Sequence, residues 1–153
     1  MDLSTWMDRL LAAVTVLGGF SAPDLAPHVT IMPQTELARR VCGGADCPVR
    51  GAYLPETGVL LDSGLNIDDP RDRSVLLHEI VHYLQQLSGR FGQEPLCRRF
   101  VLREREAYSI QDQYLSRYGL GLGNPDFSLT WMPPGCTMAS LADEATSSEA
   151  THP

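Results

Sequence analysis

Apolar positions recur every three or four residues in three stretches of the chain and alternate or cluster in three shorter ones. Trp6, Leu10, Ala13, Val14 and Leu17 fall at helical spacing near the N-terminus. A second stripe, Val75, Leu76, Ile80, Tyr83, Leu84 and Leu87, predicts a helix over 70–88. Its start is marked by Asp69-Pro70, a capping side chain followed by proline at the first helical position, and its end by Gly89. A third stripe runs through Phe100, Ala107, Leu115 and Tyr118 and predicts a helix over 95–119. Leu37, Ala38 and Val41 suggest a short helix that stops at Gly43-Gly44. The β-branched run at 28–32 reads as a strand halted by Pro33, and 50–54 with 58–61 reads as a hairpin around Pro55-Glu56-Thr57-Gly58. The expected fold is therefore α+β: a small, mostly antiparallel sheet with two long helices, spanning 1–138 as a single domain. Residues 127–132 form one apolar stretch amid Gly- and Pro-rich loop, and 139–153, rich in Ser, Thr, Ala and Glu, read as an unstructured tail.

Composition narrows the function. The 153 residues include 12 Lys+Arg against 19 Asp+Glu, a net charge of −7, which is the wrong sign for a phosphate-backbone binder and excludes nucleic acid as an expected partner. No apolar run approaches the ~18 residues needed to span a bilayer. The run at 10–20 has signal-peptide length, but it lacks a basic leader and a small residue at its end, so an amphipathic helix packed on the body is favoured. The motif Leu54-Pro55-Glu56-Thr57-Gly58 spells a sortase recognition sequence, yet no hydrophobic span and basic tail follow it, and it reads as a chance match. Four cysteines, at 42, 47, 97 and 136, suit a pair of disulfides in an exported protein. Three connectivities exist; the flexible 43–46 turn favours Cys42 with Cys47, which leaves Cys97 with Cys136. A secreted or periplasmic monomer is the expectation.

The chemistry lies in His78-Glu79-Ile80-Val81-His82. Two imidazoles at i and i+4 leave one face of a helix, near enough to hold a single ion. Neutral imidazole is a good ligand for Zn2+, and Glu79 stands beside the first histidine, where a carboxylate could take a proton from water. A third ligand is needed, and the acids of Arg103-Glu104-Arg105-Glu106-Ala107-Tyr108 are better placed for it than His28 or His152. Glu104 shares a largely apolar face with Phe100, Ala107, Tyr108, Gln111 and Leu115, whereas Glu106 falls on a more polar one. Glu104 is the stronger choice on that ground, with Glu106 the alternative.

Over roughly residues 50–118 the chain resembles the gluzincins, zinc metallopeptidases with His-Glu-x-x-His on one helix and a glutamate ligand on a following helix. Glu104-Arg105-Glu106-Ala107-Tyr108 is similar to the Glu-x-Glu-Ala-Asp run of several branches, except at its last position. The resemblance implies a reduced single-domain zincin, with His78, His82 and Glu104 as zinc ligands and Glu79 as catalytic base. Tyr108 would occupy the place of the acid that supports a zinc histidine in that family; it is also a candidate donor to the oxyanion, along with Tyr53, Tyr114 and Tyr118. The implied activity is hydrolysis of a peptide or protein substrate by glutamate-assisted attack of water. A non-proteolytic zinc-binding or regulatory module on the same scaffold is the alternative, and an amide or lactam hydrolase of cell-wall peptide is a third, weaker option.

Overall fold

A computed structural model of the chain describes residues 1–44, 46–121 and 133–150. Among these, five helices surround a three-stranded mixed sheet, making a small α+β domain. The order is α1 (Leu3–Gly18), β1 (Val29–Met32), α2 (Gln34–Val41), β2 (Gly51–Leu54), β3 (Gly58–Asp62), α3 (Pro70–Ser88), α4 (Leu96–Ser116) and α5 (Met138–Ala150). The sheet order is β1-β3-β2. The hairpin pairs β2 and β3 antiparallel, with Tyr53 opposite Val59, but β1 runs parallel to β3, with Ile31 opposite Leu61. The expected mostly antiparallel sheet is thus half parallel. The segment between β1 and β2 carries α2 across one face of the sheet, and β3 takes the central position.

That position explains the continuous apolar run in β3. Val59 and Leu61 face a core built with α1, α3 and α4, while Leu60 faces a smaller one with Met32 and Leu37 on the α2 side. In the larger core, Leu10 and Val14 of α1, Leu76, Leu77, Ile80 and Val81 of α3, and Ala107, Ile110 and Leu115 of α4 are all nearly or fully excluded from solvent. The helix ends obey local rules. Asp69 accepts from the amides of Arg71 and Asp72, Pro70 opens α3, and Gly89 closes it at φ 68°. Buried Arg73 then ties three helices together. It donates to Tyr114 Oη at 2.6 Å and to the Ile67 and Asp68 carbonyls at 3.0 and 3.1 Å, and lies 3.6 Å from the Trp6 ring centroid.

Both disulfides form as paired above, Cys42–Cys47 and Cys97–Cys136. The second draws α5 against the start of α4. There Glu144 accepts from the Cys97 and Arg98 amides at 3.0 and 2.8 Å, supplying the cap that Pro95 cannot. The segment read as an unstructured tail is therefore helical over most of its length, because a distant helix end offers it a charged contact. The apolar stretch at 127–132 and the final residues, including His152, lie outside the described residues.

Candidate metal centre

Helix α3 presents His78 and His82 on the face it packs against α4, and α4 presents Glu104 on the facing stripe. The three side chains converge, each offering one ligand atom, all within 4.8 Å of one another. His78 Nε2 lies 3.1 Å from His82 Nε2 and 3.2 Å from Glu104 Oε2, and His82 Nε2 lies 3.0 Å from Glu104 Oε1. Ligand bonds of about 2.0–2.1 Å in a tetrahedron place neighbouring donor atoms about 3.3 Å apart, so these separations already match the edges of such a site.

The tautomers follow from hydrogen bonding outside the group. Ser74 Oγ donates to the Arg71 carbonyl at 2.6 Å and so accepts from Gln111 Nε2 at 2.9 Å. That turns Gln111 Oε1 towards His78 Nδ1, at 3.1 Å. On the other side, Gln85 Nε2 donates to the Arg103 carbonyl at 2.9 Å and to Glu106 Oε1 at 3.1 Å, which leaves its Oε1 to accept from His82 Nδ1 at 2.9 Å. Each neutral imidazole thus keeps its hydrogen on Nδ1 and aims a bare Nε2 at the other and at a carboxylate. Three electron-pair donors at contact distance, largely buried, call for a cation between them. Either a proton or a metal ion meets that need, and the donor set of two imidazoles and a carboxylate fits a divalent transition metal.

Without a metal, the proton takes the place. Burial opposes charging His82, but the hydrogen bond and charge of Glu104, helped by Glu79 and Gln85, win and push its pKa up to about 9. Burial likewise opposes ionisation of Glu104, and the two imidazoles overcome it and hold the carboxyl well below the usual range. Glu79 has no such partner set. Only 6 % exposed, its pKa is raised by burial and by the Glu104 charge, against the lowering influence of the histidines and the Tyr53 amide. Its position depends on Gly51 in β2. A Cβ at residue 51 would stand 2.7 Å from Val75 Cγ1 and 3.3 Å from Glu79 Oε1, so the missing side chain is what lets the strand lie close to α3.

Of the residues singled out from sequence, Tyr108 lies beside the group. Its ring packs edge-on against His78, with centroids 4.5 Å apart, and burial together with the Glu104 and Glu79 charges raises its pKa. Gln111, one turn further along α4, meets His78 at Nδ1. Glu106 stays out of the group: it pairs with Arg90 at 3.0 Å and receives Gln85, so it steadies His82 indirectly. His28 is exposed and not part of the group, its carbonyl accepting from the Val59 amide. Sequence reasoning assigned no role to Gln85 or Gln111. The one available signal was a glutamine on an otherwise apolar helical face, and for Gln111 that face was visible.

The group lies in a cleft of about 590 Å³ bounded by β2 on one side and α4 on the other, with Tyr53, Tyr108, Arg99 and Arg103 in its walls. A second cavity of about 630 Å³, lined by Gln34, Arg39, Asp46 and Arg50 among others, opens elsewhere, and among the described residues it holds no comparable trio of ligands. Burial and the neighbouring Arg99 charge lower the pKa of Arg103.

Fold and site together define a small α+β, disulfide-bonded domain with a His-His-Glu group able to hold a metal ion. The chain belongs to the family described as domain of unknown function DUF6647, whose profile matches residues 1–140. No curated protein and no solved structure matches it.

Proposed function

We propose that the protein is a zinc-dependent peptidase of gluzincin type, with His78, His82 and Glu104 as the metal ligands. The observation that carries this reading is the position of Glu79: a buried carboxylate, held by the same helix turn as the two imidazoles, that takes no part in the ligand group yet lines the same open cleft. A purely structural zinc site closes its fourth position with another Cys or His, whereas a three-ligand site beside a free carboxylate suits hydrolysis. Zinc, when bound, supplies the acidification of water and the polarisation of a carbonyl. Glu79 then accepts a proton at its carboxylate and returns it to the leaving amine, a task for which its raised pKa is suited. Gln85 and Gln111 hold the imidazoles in the Nδ1–H tautomer throughout. Tyr108, whose ring packs against His78, is the candidate oxyanion donor we favour.

A peptide substrate agrees with the cleft wall, because β2 is an edge strand among the described residues and an extended chain can add to such an edge. Two disulfides, and the absence among the described residues of a helix long and apolar enough to cross a membrane, are compatible with an extracellular protein, and we infer export to an oxidising compartment.

The test is metal content by plasma mass spectrometry on the wild type and Glu79→Gln, alongside digestion of a peptide library. About one zinc per chain in both, with cleavage reduced on the order of 10²–10⁴-fold in Glu79→Gln, is the expected result. Equal cleavage by the two proteins removes Glu79 as base. Zinc without cleavage in either turns the reading to a non-proteolytic zinc-binding module.

A further inference from the structure

Besides the ligand group and Glu79, the charged side chains lining the metal cleft among the described residues are Arg99 and Arg103, both cationic, in a chain whose net charge is −7. They lie at i and i+4 on α4 and so share one helical face. Among the described residues neither is paired with an acid. Arg99 donates only to the Glu94 carbonyl, at 3.1 and 3.4 Å, and the Arg103 side chain only to the Arg90 carbonyl, at 3.4 Å. Arg103 Nε is buried and has no hydrogen-bond partner at all, the one such side-chain atom among the described residues. An arginine fork that is partly desolvated, unpaired and facing a cleft is costly unless something enters to meet it. The group that matches a planar guanidinium in shape and charge is a carboxylate, bound by two parallel N–H···O bonds.

We propose that Arg99 and Arg103 form a carboxylate-binding subsite, so that the substrate is a peptide carrying a carboxylate close to the bond that is cut. Placement sets the distance. Arg103 precedes Glu104 directly and Arg99 is five residues before it, about 7.5 Å along the helix axis. An extended peptide advances about 3.3 Å per residue, so the carboxylate lies one or two residues from the scissile bond. An Asp or Glu side chain and a free C-terminal carboxylate share this chemistry. The inference rests on the peptidase reading for the bond that is cut, but not for the anion site itself.

The experiment uses the full-length, zinc-loaded protein and three matched fluorescent peptides: neutral with a free C-terminus, C-terminally amidated with one Glu walked along the sequence, and amidated and wholly neutral. Binding is read by fluorescence anisotropy on Glu79→Gln, and cleavage by mass spectrometry on the wild type. One carboxylate-bearing class should exceed the neutral peptide by about ten-fold or more, as a charge-assisted bidentate pair provides. The preferred class identifies the source of the carboxylate. That preference should collapse in Arg103→Gln and Arg99→Gln and survive in part in the lysine variants, which keep the charge and lose the fork. Metal content and melting temperature establish that each variant folds, and Arg99, further from the packed Gln85 contact, serves if the Arg103 variants do not. Cleavage of all three peptides alike overturns the subsite and leaves the peptidase standing, and equal binding of all three without cleavage overturns both. Carboxylate-selective binding that Arg103→Gln abolishes, with no cleavage by the wild type, supports the subsite and overturns the peptidase. Binding of no peptide overturns both.

Discussion

Replacing Gln85 by leucine separates a group that merely packs from one that tunes a metal ligand. Gln85 is fully buried, and its side chain joins His82 Nδ1, the Arg103 carbonyl and Glu106 Oε1. Leucine is close in volume, so the cavity term is small. What remains is an unsatisfied Nδ1–H on His82, worth about 1–3 kcal/mol of lost stability. Glu106 is left with Arg90, and so does not become an orphan. A second effect appears only when metal is present. Loss of the acceptor on Nδ1 frees the ring to rotate and lowers the basicity of Nε2, for which about 10–100-fold weaker metal binding is typical. At fixed free zinc well above the dissociation constant, that weakening removes a further ~1.4–2.7 kcal/mol from the metal-linked stability. Urea unfolding should therefore show a modest loss in the metal-free protein and roughly twice that loss in the zinc-bound one. Competition with a chromophoric chelator gives the affinity change directly. Equal losses in both forms, with chelator competition within two-fold of wild type, would refute the tautomer argument, since a glutamine that only packs destabilises both states alike.

Two further outcomes follow from the same geometry. Glu104→Ala should weaken zinc binding by about 100-fold or more, while Glu106→Ala, which takes the carboxylate from Arg90 and one of two acceptors from Gln85, should cost mainly stability; chelator competition that ranks them the other way sinks the choice of ligand. In the metal-free protein His82 has its folded pKa raised to about 9 from an unfolded value near 6.5. Its contribution to stability is therefore complete below about pH 6.5 and lost as pH rises through 9. Zinc must displace the same proton, so its affinity should climb over that window. Urea midpoints of the metal-free protein at pH 6.5, 8 and 9.5 should fall in that order, and Glu104→Gln, lacking the charge that holds the proton, should flatten the trend. A midpoint that rises with pH contradicts the assignment.

Most of what local chemistry controls was legible in the chain. Asp69, Pro70 and Gly89 mark the ends of α3 because a cap, a fixed φ and a left-handed residue act within a few residues of themselves. The hairpin was readable for the same reason, and so was the choice of Glu104 over Glu106, since a helix repeats its face every 3.6 residues wherever it sits. The grouping of His78 with His82 needed only one turn of helix.

What no local rule contains is which surface each face meets. The parallel pairing of β1 with β3 depends on α2 crossing the sheet, a contact between segments about thirty residues apart. Helix α5, whose own composition favours a loose tail, is held by a disulfide and by Glu144 at the exposed amides of α4. Glutamines are ordinary residues in a sequence, and Gln85 and Gln111 become determinants only because burial denies them water and leaves each with one histidine to satisfy. The same holds for Arg99 and Arg103, which become a cleft wall only where β2 and α3 pack beside α4. The sequence by itself determined the elements up to α4 and the side chains of the candidate metal group, because backbone and side-chain preferences act at short range. The tertiary structure decided the partners, because desolvation, which makes a hydrogen bond or an unpaired charge matter, exists only after the elements have packed.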